Sequence, residues 1–207
     1  MKASPFGLRM RWLGLLCCVV LMLLLATPST APAATIYDTP LTGANEVPPN
    51  ASTATGFATV TLNGNTLAVF VSFTGLTNIA AAAHIHCCVP AGVNGIVAVP
   101  FVGFPAATSG TYSNSFDLTL DATYNPAFET ANGGTAASAE AALIAGLNAG
   151  QAYANIHDSP NFNGGEIRGQ LSQHLSQRVP GPPTATLLLL GVTTLIAVVR
   201  RRVHPLR

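Results

Sequence analysis

The stretch "GFATVTLNGNTLAVFVSF", residues 56–73, decides the fold of this protein. Apolar side chains alternate with other residues in both of its halves, and they share one face in each: Val60 and Leu62, then Leu67, Val69, Val71 and Phe73. Successive side chains of a strand point to opposite faces, so each half predicts a strand with one buried face. The "NGN" between them is a hairpin turn signal, because Asn and Gly tolerate positive φ.

The same signals continue through the middle of the chain, where short strand candidates are separated by polar turns. They cover residues 95–101, 110–120, 152–157 and 165–171. "SAEAALIAGL", residues 138–147, is the one convincing helix. Regularly spaced short strands predict an all-β sandwich or barrel, and about 140 residues can bury one adequate core.

Charge is unevenly distributed along the 207 residues, of which only 8% are charged. The segment from Thr35 to Gln177 holds all eight acidic side chains and a single basic one, Arg168, which is about −7 by count. A nucleic-acid-binding domain needs a basic surface to neutralise phosphate. Nucleic acid is therefore excluded as a partner, whereas binding of cations is electrostatically allowed.

The N-terminus has the three parts of a secretory signal peptide. Three basic residues, Lys2, Arg9 and Arg11, precede an apolar run from Trp12 to Ala26, and the small residues of "STAPAA" follow. We expect cleavage after Ala33, which makes residues 1–33 the signal peptide. A retained membrane anchor is the alternative.

The C-terminus carries a second apolar segment, "TATLLLLGVTTLIAVV", which is followed by Arg200, Arg201 and Arg202. Because positive charge marks the cytoplasmic side of a membrane span, we predict a transmembrane helix over 184–200 and a basic cytoplasmic tail over 201–207. We predict that residues 173–183 form a linker between this segment and the β domain. A buried core helix is the alternative.

A sorting motif precedes that segment: Val179-Pro180-Gly181-Pro182. With the apolar span and the arginine cluster it resembles the PEP-CTERM sorting signal of Gram-negative bacteria. The resemblance implies an exosortase-type processing enzyme as a partner. It also implies an exported protein that is anchored in the inner membrane before processing and is then found at the cell surface or outside the cell. Gly181 stands where that family has Glu, so whether the C-terminal segment is cleaved stays an open question.

The candidate chemistry lies in "AHIHCCVPAG", residues 83–92. In an extended chain His84 and His86 point to the same face, a common way to present two imidazoles to one metal ion. His157 ends another strand candidate, "YANIH". Three histidines with an open fourth position suit zinc or copper. The alternative is three hydrogen-bonded histidines that organise loops, and no residue is assigned a catalytic role.

Cys87 and Cys88 are the two cysteines that remain once the signal peptide is removed. Thiols of exported proteins tend to oxidise, and with two cysteines an intramolecular bridge must join neighbours. We favour this vicinal disulfide as a device that rigidifies the turn before Pro90. Free thiols that join the histidines as ligands, or a bridge to another molecule, are the alternatives.

Arg168, within "NGGEIRGQL", is the only base of the β domain. A lone arginine in an acidic domain is expected to form an ion pair that fixes a loop. The candidate partners are Glu46, Asp158 and Glu166. An arginine that guides anions toward a metal is the functional alternative.

Several segments of the β domain form a recognisable set, namely "LTGANEVPP" (41–49), "AAHIH" (82–86), "YANIHDSPNFNGGEIRGQL" (153–171) and the strand pattern between them. Together, over residues 35–172, they resemble the CHRD domain, a module named from chordin and widespread in bacterial exported proteins. The resemblance implies an immunoglobulin-like Greek-key β-sandwich, here with one short helix. It makes His84, His86, His157, Glu166 and Arg168 motif positions, and it implies no particular activity.

The order of parts is also similar to copper/zinc superoxide dismutase, itself a Greek-key β-sandwich. The similar parts are Thr74-Gly75-Leu76, the H-x-H pair, His157-Asp158 and the Asn/Gly-rich residues before Arg168. In that family copper has four histidine ligands and zinc has a separate set. Three histidines here would imply a reduced, copper-type site.

Two functions follow from the sequence. The favoured one is an exported, surface-associated binding or structural module that acts on an unknown extracellular partner and is not an enzyme. The alternative is a three-histidine copper or zinc metalloprotein with superoxide-dismutase-like redox chemistry, and hence a metal-dependent oxidoreductase.

Overall fold

The structure, a computed structural model, describes residues 34–174. The predicted signal peptide, the transmembrane segment at 184–200, the basic tail and the sorting motif at 179–182 lie outside the described residues, as does the linker beyond residue 174. Within residues 34–174, no helix combines the length and the apolar character that a membrane span requires.

The described residues form nine strands and two short helices. The strands are β1 (Thr35–Thr42), β2 (Thr55–Asn63), β3 (Thr66–Thr74), β4 (Ala80–Cys87), β5 (Ile96–Pro100), β6 (Gly110–Asp117), β7 (Ala152–Asp158), β8 (Ile167–Gln170) and β9 (Ser172–His174). The helices are α1 (Pro126–Ala131) and α2 (Ala136–Asn148). The all-β prediction is confirmed, but the prediction of a single helix was wrong. Six residues are too few for α1 to show a helical repeat of apolar positions.

The predicted hairpin is confirmed as β2 and β3, which pair antiparallel from Thr55 opposite Thr74 to Asn63 opposite Thr66. The side chains predicted to share the inner face are buried or partly buried: Val60, Leu62, Leu67, Val69, Val71 and Phe73. Gly64 has a φ of +56°, a value that glycine adopts at little cost. Alternation and turn chemistry therefore fixed both the register and the buried face of this hairpin.

All strands belong to one sheet, in the order β5-β4-β7-β8-β1-β2-β3-β6, with β9 paired to β1. The β1–β8 connection rests on a single pair, Thr42 opposite Arg168. The sheet curls there, and a Cβ on Gly56 of β2 would lie 3.3 Å from the Ile167 side chain of β8. The packing is thus sandwich-like. Hydrogen bonding, however, continues through one curled sheet where two separate sheets were expected.

One apolar core fills the space inside the curled sheet, and α2 closes it over β4 and β7. Thr135 and Ser138 form a capping box that starts α2 by satisfying its first backbone N–H groups. Ala139, Leu143 and Leu147 of the helix are fully buried. The inner face of β4, with Ile85 and Cys87, is part of this core. Its outer face is left for His84 and His86.

Candidate metal centre

Two neighbouring strands bring the three histidines together. In the antiparallel pair of β4 and β7, His84 lies opposite Asn155, His86 opposite Tyr153 and Ala82 opposite His157. Residues directly opposite one another share a face of the sheet, as do residues two apart on one strand. His84, His86 and His157 therefore share the outer face of the sheet with Asn155 and Tyr153.

The three imidazoles offer one nitrogen each, and these nitrogens all lie within 4.8 Å of one another. The ring centroids are 5.1 Å apart for His84 and His157, 5.6 Å for His84 and His86, and 6.1 Å for His86 and His157. With Zn–N bonds of about 2.1 Å, ligand nitrogens of one tetrahedral ion are about 3.4 Å apart. Small side-chain rotations reach this spacing, so the cluster can hold one ion.

Backbone carbonyls select the tautomer of two of the rings. His86 Nδ1 lies 2.9 Å from the carbonyl oxygen of Gly95, and His157 Nδ1 lies 3.0 Å from that of Asn163. A carbonyl oxygen only accepts, so each Nδ1 carries the proton and donates it. Each Nε2 then keeps a free lone pair, and neither has a hydrogen-bond partner among residues 34–174. Metal-binding histidines have this arrangement, with the second nitrogen donating to a carbonyl.

The rings are held in the neutral form that binds metal. Burial, with smaller contributions from the charges of His157 and His86, lowers the pKa of His84 from 6.5 to about 4. Burial also lowers the pKa of His86 to about 4, although its bond to Gly95 opposes the shift, and burial lowers the pKa of His157. At neutral pH the cluster therefore presents lone pairs and no positive charge.

The imidazole of His86 stacks on the ring of Tyr153. The Tyr153 ring lies parallel to the imidazole, with a centroid distance of 4.6 Å and an interplanar angle of 3°. The guanidinium carbon of Arg168 lies 3.4 Å from the centre of the Tyr153 ring. The Tyr153 hydroxyl accepts a hydrogen bond of 3.1 Å from the Gly95 N–H, so the tyrosine fixes the loop that orients His86.

Within residues 34–174, the hydrogen bonds of Arg168 go to a loop and not to the expected carboxylate partner. In the described part of the chain its Nη1 donates to Asn94 Oδ1 at 2.9 Å and its Nη2 donates to the Val93 carbonyl at 2.8 Å. The residue is only 2% exposed. A buried guanidinium with these partners ties the loop before β5 to the sheet, and it leaves no accessible charge to guide anions.

The three carboxylates proposed as its partners have other donors. Glu166 accepts from the Ser52 hydroxyl and from the Thr77 N–H and hydroxyl, and Asp158 accepts from both the backbone and the side-chain nitrogen of Asn78. Both carboxylates therefore anchor the loop before β4, and Asp158, which directly follows His157, also accepts from the Phe162 N–H of the loop before β8.

Glu46 is the carboxylate that adjoins the site. Its Oε1 accepts a hydrogen bond of 2.7 Å from Asn155 Nδ2. Burial raises the pKa of Glu46 to about 7, although the Arg168 charge and the Asn155 bond act against the shift. Glu46 therefore interacts with Arg168 through its charge and with the histidine face through Asn155.

The cysteines lie apart from the histidine face. Cys87 and Cys88 are joined by a disulfide, and Cys87 is buried on the inner face of β4 beneath α2. Cys88 follows the strand, is exposed, and has a φ of +74°. Because Cys87 and His86 point to opposite faces, the alternative in which the thiols join the histidines as metal ligands does not fit the structure.

Sequence reasoning missed two residues of this face. Tyr153 and Asn155 precede His157 by four and two positions in "YANIH", so period-two alternation could have placed them beside it. The carbonyls of Gly95 and Asn163 left no such signal, because their positions depend on the path of two loops.

Comparison with known proteins gives one match. The family model of the CHRD domain matches residues 37–171, most of the described structure. No curated protein and no solved structure matched the chain. The likenesses to copper/zinc superoxide dismutase and to the PEP-CTERM signal are not shown by these comparisons. The matched segment covers more than half of the chain and includes all three histidines, and the chain therefore belongs to the CHRD domain family.

Proposed function

We propose that this protein is an exported CHRD domain module that binds one zinc or copper ion through His84, His86 and His157. The observation that carries the proposal is the convergence of three imidazoles, each of which has one buried ring nitrogen without a hydrogen-bond partner among the described residues. Buried polar atoms are normally satisfied, because leaving one unpaired costs about 1–3 kcal/mol. A single cation bound by all three nitrogens removes that cost.

The ligand set narrows the choice of ion. Imidazole suits zinc and copper, whereas calcium and magnesium take oxygen ligands. Three protein ligands leave a fourth position for a small molecule, as in catalytic rather than structural zinc sites. A bound copper ion would supply one-electron redox chemistry there, and dismutation of superoxide is the first activity to assay.

The location of the protein belongs to the same proposal. CHRD domains are generally extracellular or exported. The signal peptide at 1–33 would deliver the domain across the membrane, and the segment at 184–200 would hold it there until an exosortase-type enzyme acts. The metal would then be acquired outside the cytoplasm.

A binding-module function rests on a separate observation. Phe57 and Phe70 are 42% and 46% exposed on the outer face of the β2–β3 hairpin. Phe57 lies opposite Ser72 and Phe70 opposite Thr59, so the two rings are diagonal neighbours. Adjacent exposed aromatic rings on a sheet are suited to an extracellular protein partner. This face is distinct from the histidine face, and the two functions are compatible.

Metal content measured by mass spectrometry tests the proposal. The full chain is exported to a periplasm and purified without chelator, beside a His84→Ala/His86→Ala/His157→Ala variant. His174→Ala, which changes a histidine of β9 outside the cluster, is the matched control. We expect close to one zinc or copper ion per chain in the wild type and in the control, and none in the triple variant. Absence of metal from the wild type, even after zinc and copper are added to the folded protein, would overturn the proposal.

A further inference from the structure

The histidine face contains a fourth unsatisfied atom, which the metal does not explain. In residues 34–174, five buried side-chain atoms have no hydrogen-bond partner: His84 Nδ1, His86 Nε2, His157 Nε2, Asn155 Oδ1 and Glu166 Oε2. Four of the five belong to neighbouring positions on the outer face of β4 and β7. Three are nitrogens with lone pairs for a cation. The fourth, Asn155 Oδ1, is an amide oxygen, which accepts hydrogen bonds.

The surroundings of Asn155 fix the direction of its amide. The residue is 2% exposed, and its Nδ2 donates to Glu46 Oε1 at 2.7 Å. Gly165 packs over this pair so closely that a Cβ there would lie 2.5 Å from Asn155 Nδ2 and 2.6 Å from Glu46 Oε1. The amide nitrogen is therefore committed to Glu46, and the oxygen is turned away from it.

The strand register gives the neighbours of Asn155 on its face of the sheet. Asn155 faces Arg168 on β8 in one direction and His84 on β4 in the other. The charge of Arg168 acts on Glu46, the carboxylate that accepts from the amide nitrogen of Asn155. On the other side, His84 is the neighbour of Asn155 across the strand pair, and His157 lies two residues along the same face of β7.

We propose that Asn155 Oδ1 accepts a hydrogen bond from a small, proton-carrying oxygen ligand, water being the smallest, at the open position of the three-histidine centre. The inference rests on the proposed metal site and names the class of molecule that the site takes. An amide oxygen only accepts hydrogen bonds, so the ligand must donate one through an O–H group. An anion without a proton is disfavoured, because its lone pairs would lie against the lone pairs of the Asn155 oxygen and repel them. Glu46 is a positioning residue, because it acts on the ligand only by fixing the amide of Asn155.

The probe is water itself, on the full-length protein loaded with Cu(II). Broadening of the copper electron paramagnetic resonance lines in ¹⁷O-enriched water reports a water molecule bound to the ion. Enhancement of water-proton relaxation reports its exchange with the solvent. Asn155→Leu removes the acceptor at similar volume. Glu46→Gln keeps an oxygen that accepts from Asn155 Nδ2, and Asn114→Leu, in β6, controls for loss of a strand asparagine.

We expect ¹⁷O broadening in the wild type, in Glu46→Gln and in Asn114→Leu, and loss of most of it in Asn155→Leu, with copper content unchanged in all four. Unchanged broadening in Asn155→Leu would overturn this inference and leave the metal site intact. A loss of copper in Asn155→Leu as complete as in His84→Ala would make Asn155 a direct ligand and would also overturn it. No broadening in the wild type overturns it even where Asn155→Leu fails to fold, and no copper in the wild type overturns both proposals together.

Discussion

At the scale of single residues, Gly146 shows how a helix adapts to the disulfide beneath it. Gly146 lies inside α2, where glycine costs about 1 kcal/mol relative to alanine. A Cβ at this position would overlap Cys87 Sγ and lie 3.0 Å from Cys88 Sγ. The helix therefore carries its least favourable non-proline residue where the two sulfur atoms need the space.

Gly146→Ala should accordingly destabilise the protein, by about 1–3 kcal/mol as for other overpacked cores, although helix propensity alone predicts a gain. Urea unfolding of the oxidised protein measures the change. In a Cys87→Ala/Cys88→Ala background the same substitution should become neutral or stabilising, because the sulfur atoms are gone. An equal loss of stability in both backgrounds would show that contact with the sulfur atoms is not the cause.

Glu46 gives a second prediction for a single residue. Its pKa of about 7 in the folded protein is above its ordinary value of 4.5, so the folded protein holds this proton where the unfolded chain releases it. The contribution of Glu46 to the free energy of unfolding is fully present below pH 4.5 and is lost as pH rises through 7. Glu46→Gln removes the titration and keeps an acceptor for Asn155. We expect the free energy of unfolding of the variant, relative to wild type, to rise between pH 5 and pH 8. A constant difference across that range would contradict the assignment.

At the scale of elements, the stack of Arg168, Tyr153 and His86 joins β8, β7 and β4 to the loop before β5. Arg168→Met keeps the length of the side chain but loses the two hydrogen bonds to Val93 and Asn94. Changes to the partners of a metal-binding histidine typically weaken metal affinity 10–100-fold, and we expect a fall in that range here. Competition with a chromophoric chelator measures it.

The matched variant is Arg168→Lys, which keeps the charge but cannot make both hydrogen bonds of the planar guanidinium. If the geometry of the guanidinium matters, the metal affinity of Arg168→Lys should fall as in Arg168→Met. If charge alone matters, its metal affinity should equal that of the wild type. Unfolding of the metal-free variants separates a general loss of stability from a loss at the site. Unchanged metal affinity in both folded variants would remove Arg168 from the support of His86.

Elements also show how far the sequence could predict this structure. Alternation predicted the β2–β3 hairpin, and it placed His84 and His86 on one face, because both depend on neighbours along the chain. Strand β1 was not predicted, since Asp38, Thr39 and Pro40 separate its apolar Tyr37 and Leu41. The partners of Arg168 could not be predicted either. They are a backbone carbonyl, an asparagine and a ring, brought together by a loop and a strand more than ten residues away.

At the scale of the whole molecule, the three neutral histidines make the metal-free fold sensitive to acid. His84 and His86 have a pKa of about 4 when folded and 6.5 when unfolded, so the unfolded chain takes up protons first as pH falls. Their contribution to stability is full above pH 6.5 and is lost as pH falls through 4. We expect the midpoint of thermal unfolding of the metal-free protein to fall across that window. The decline should be smaller in the His84→Ala/His86→Ala/His157→Ala variant. An identical decline in the two proteins would place the acid sensitivity elsewhere.

The disulfide and the proposed metal centre would differ greatly in the length of chain that each closes. The Cys87–Cys88 disulfide has a sequence separation of 1, so it removes almost no conformational freedom from the unfolded chain. An ion held by His86 and His157 would instead tie together two segments separated by roughly seventy residues, and the entropy removed by such a tie grows with the enclosed length. The ion, rather than the cysteine pair, would then be the cross-link that resists unfolding outside the cell. Chelation should loosen this domain far more than a reducing agent does.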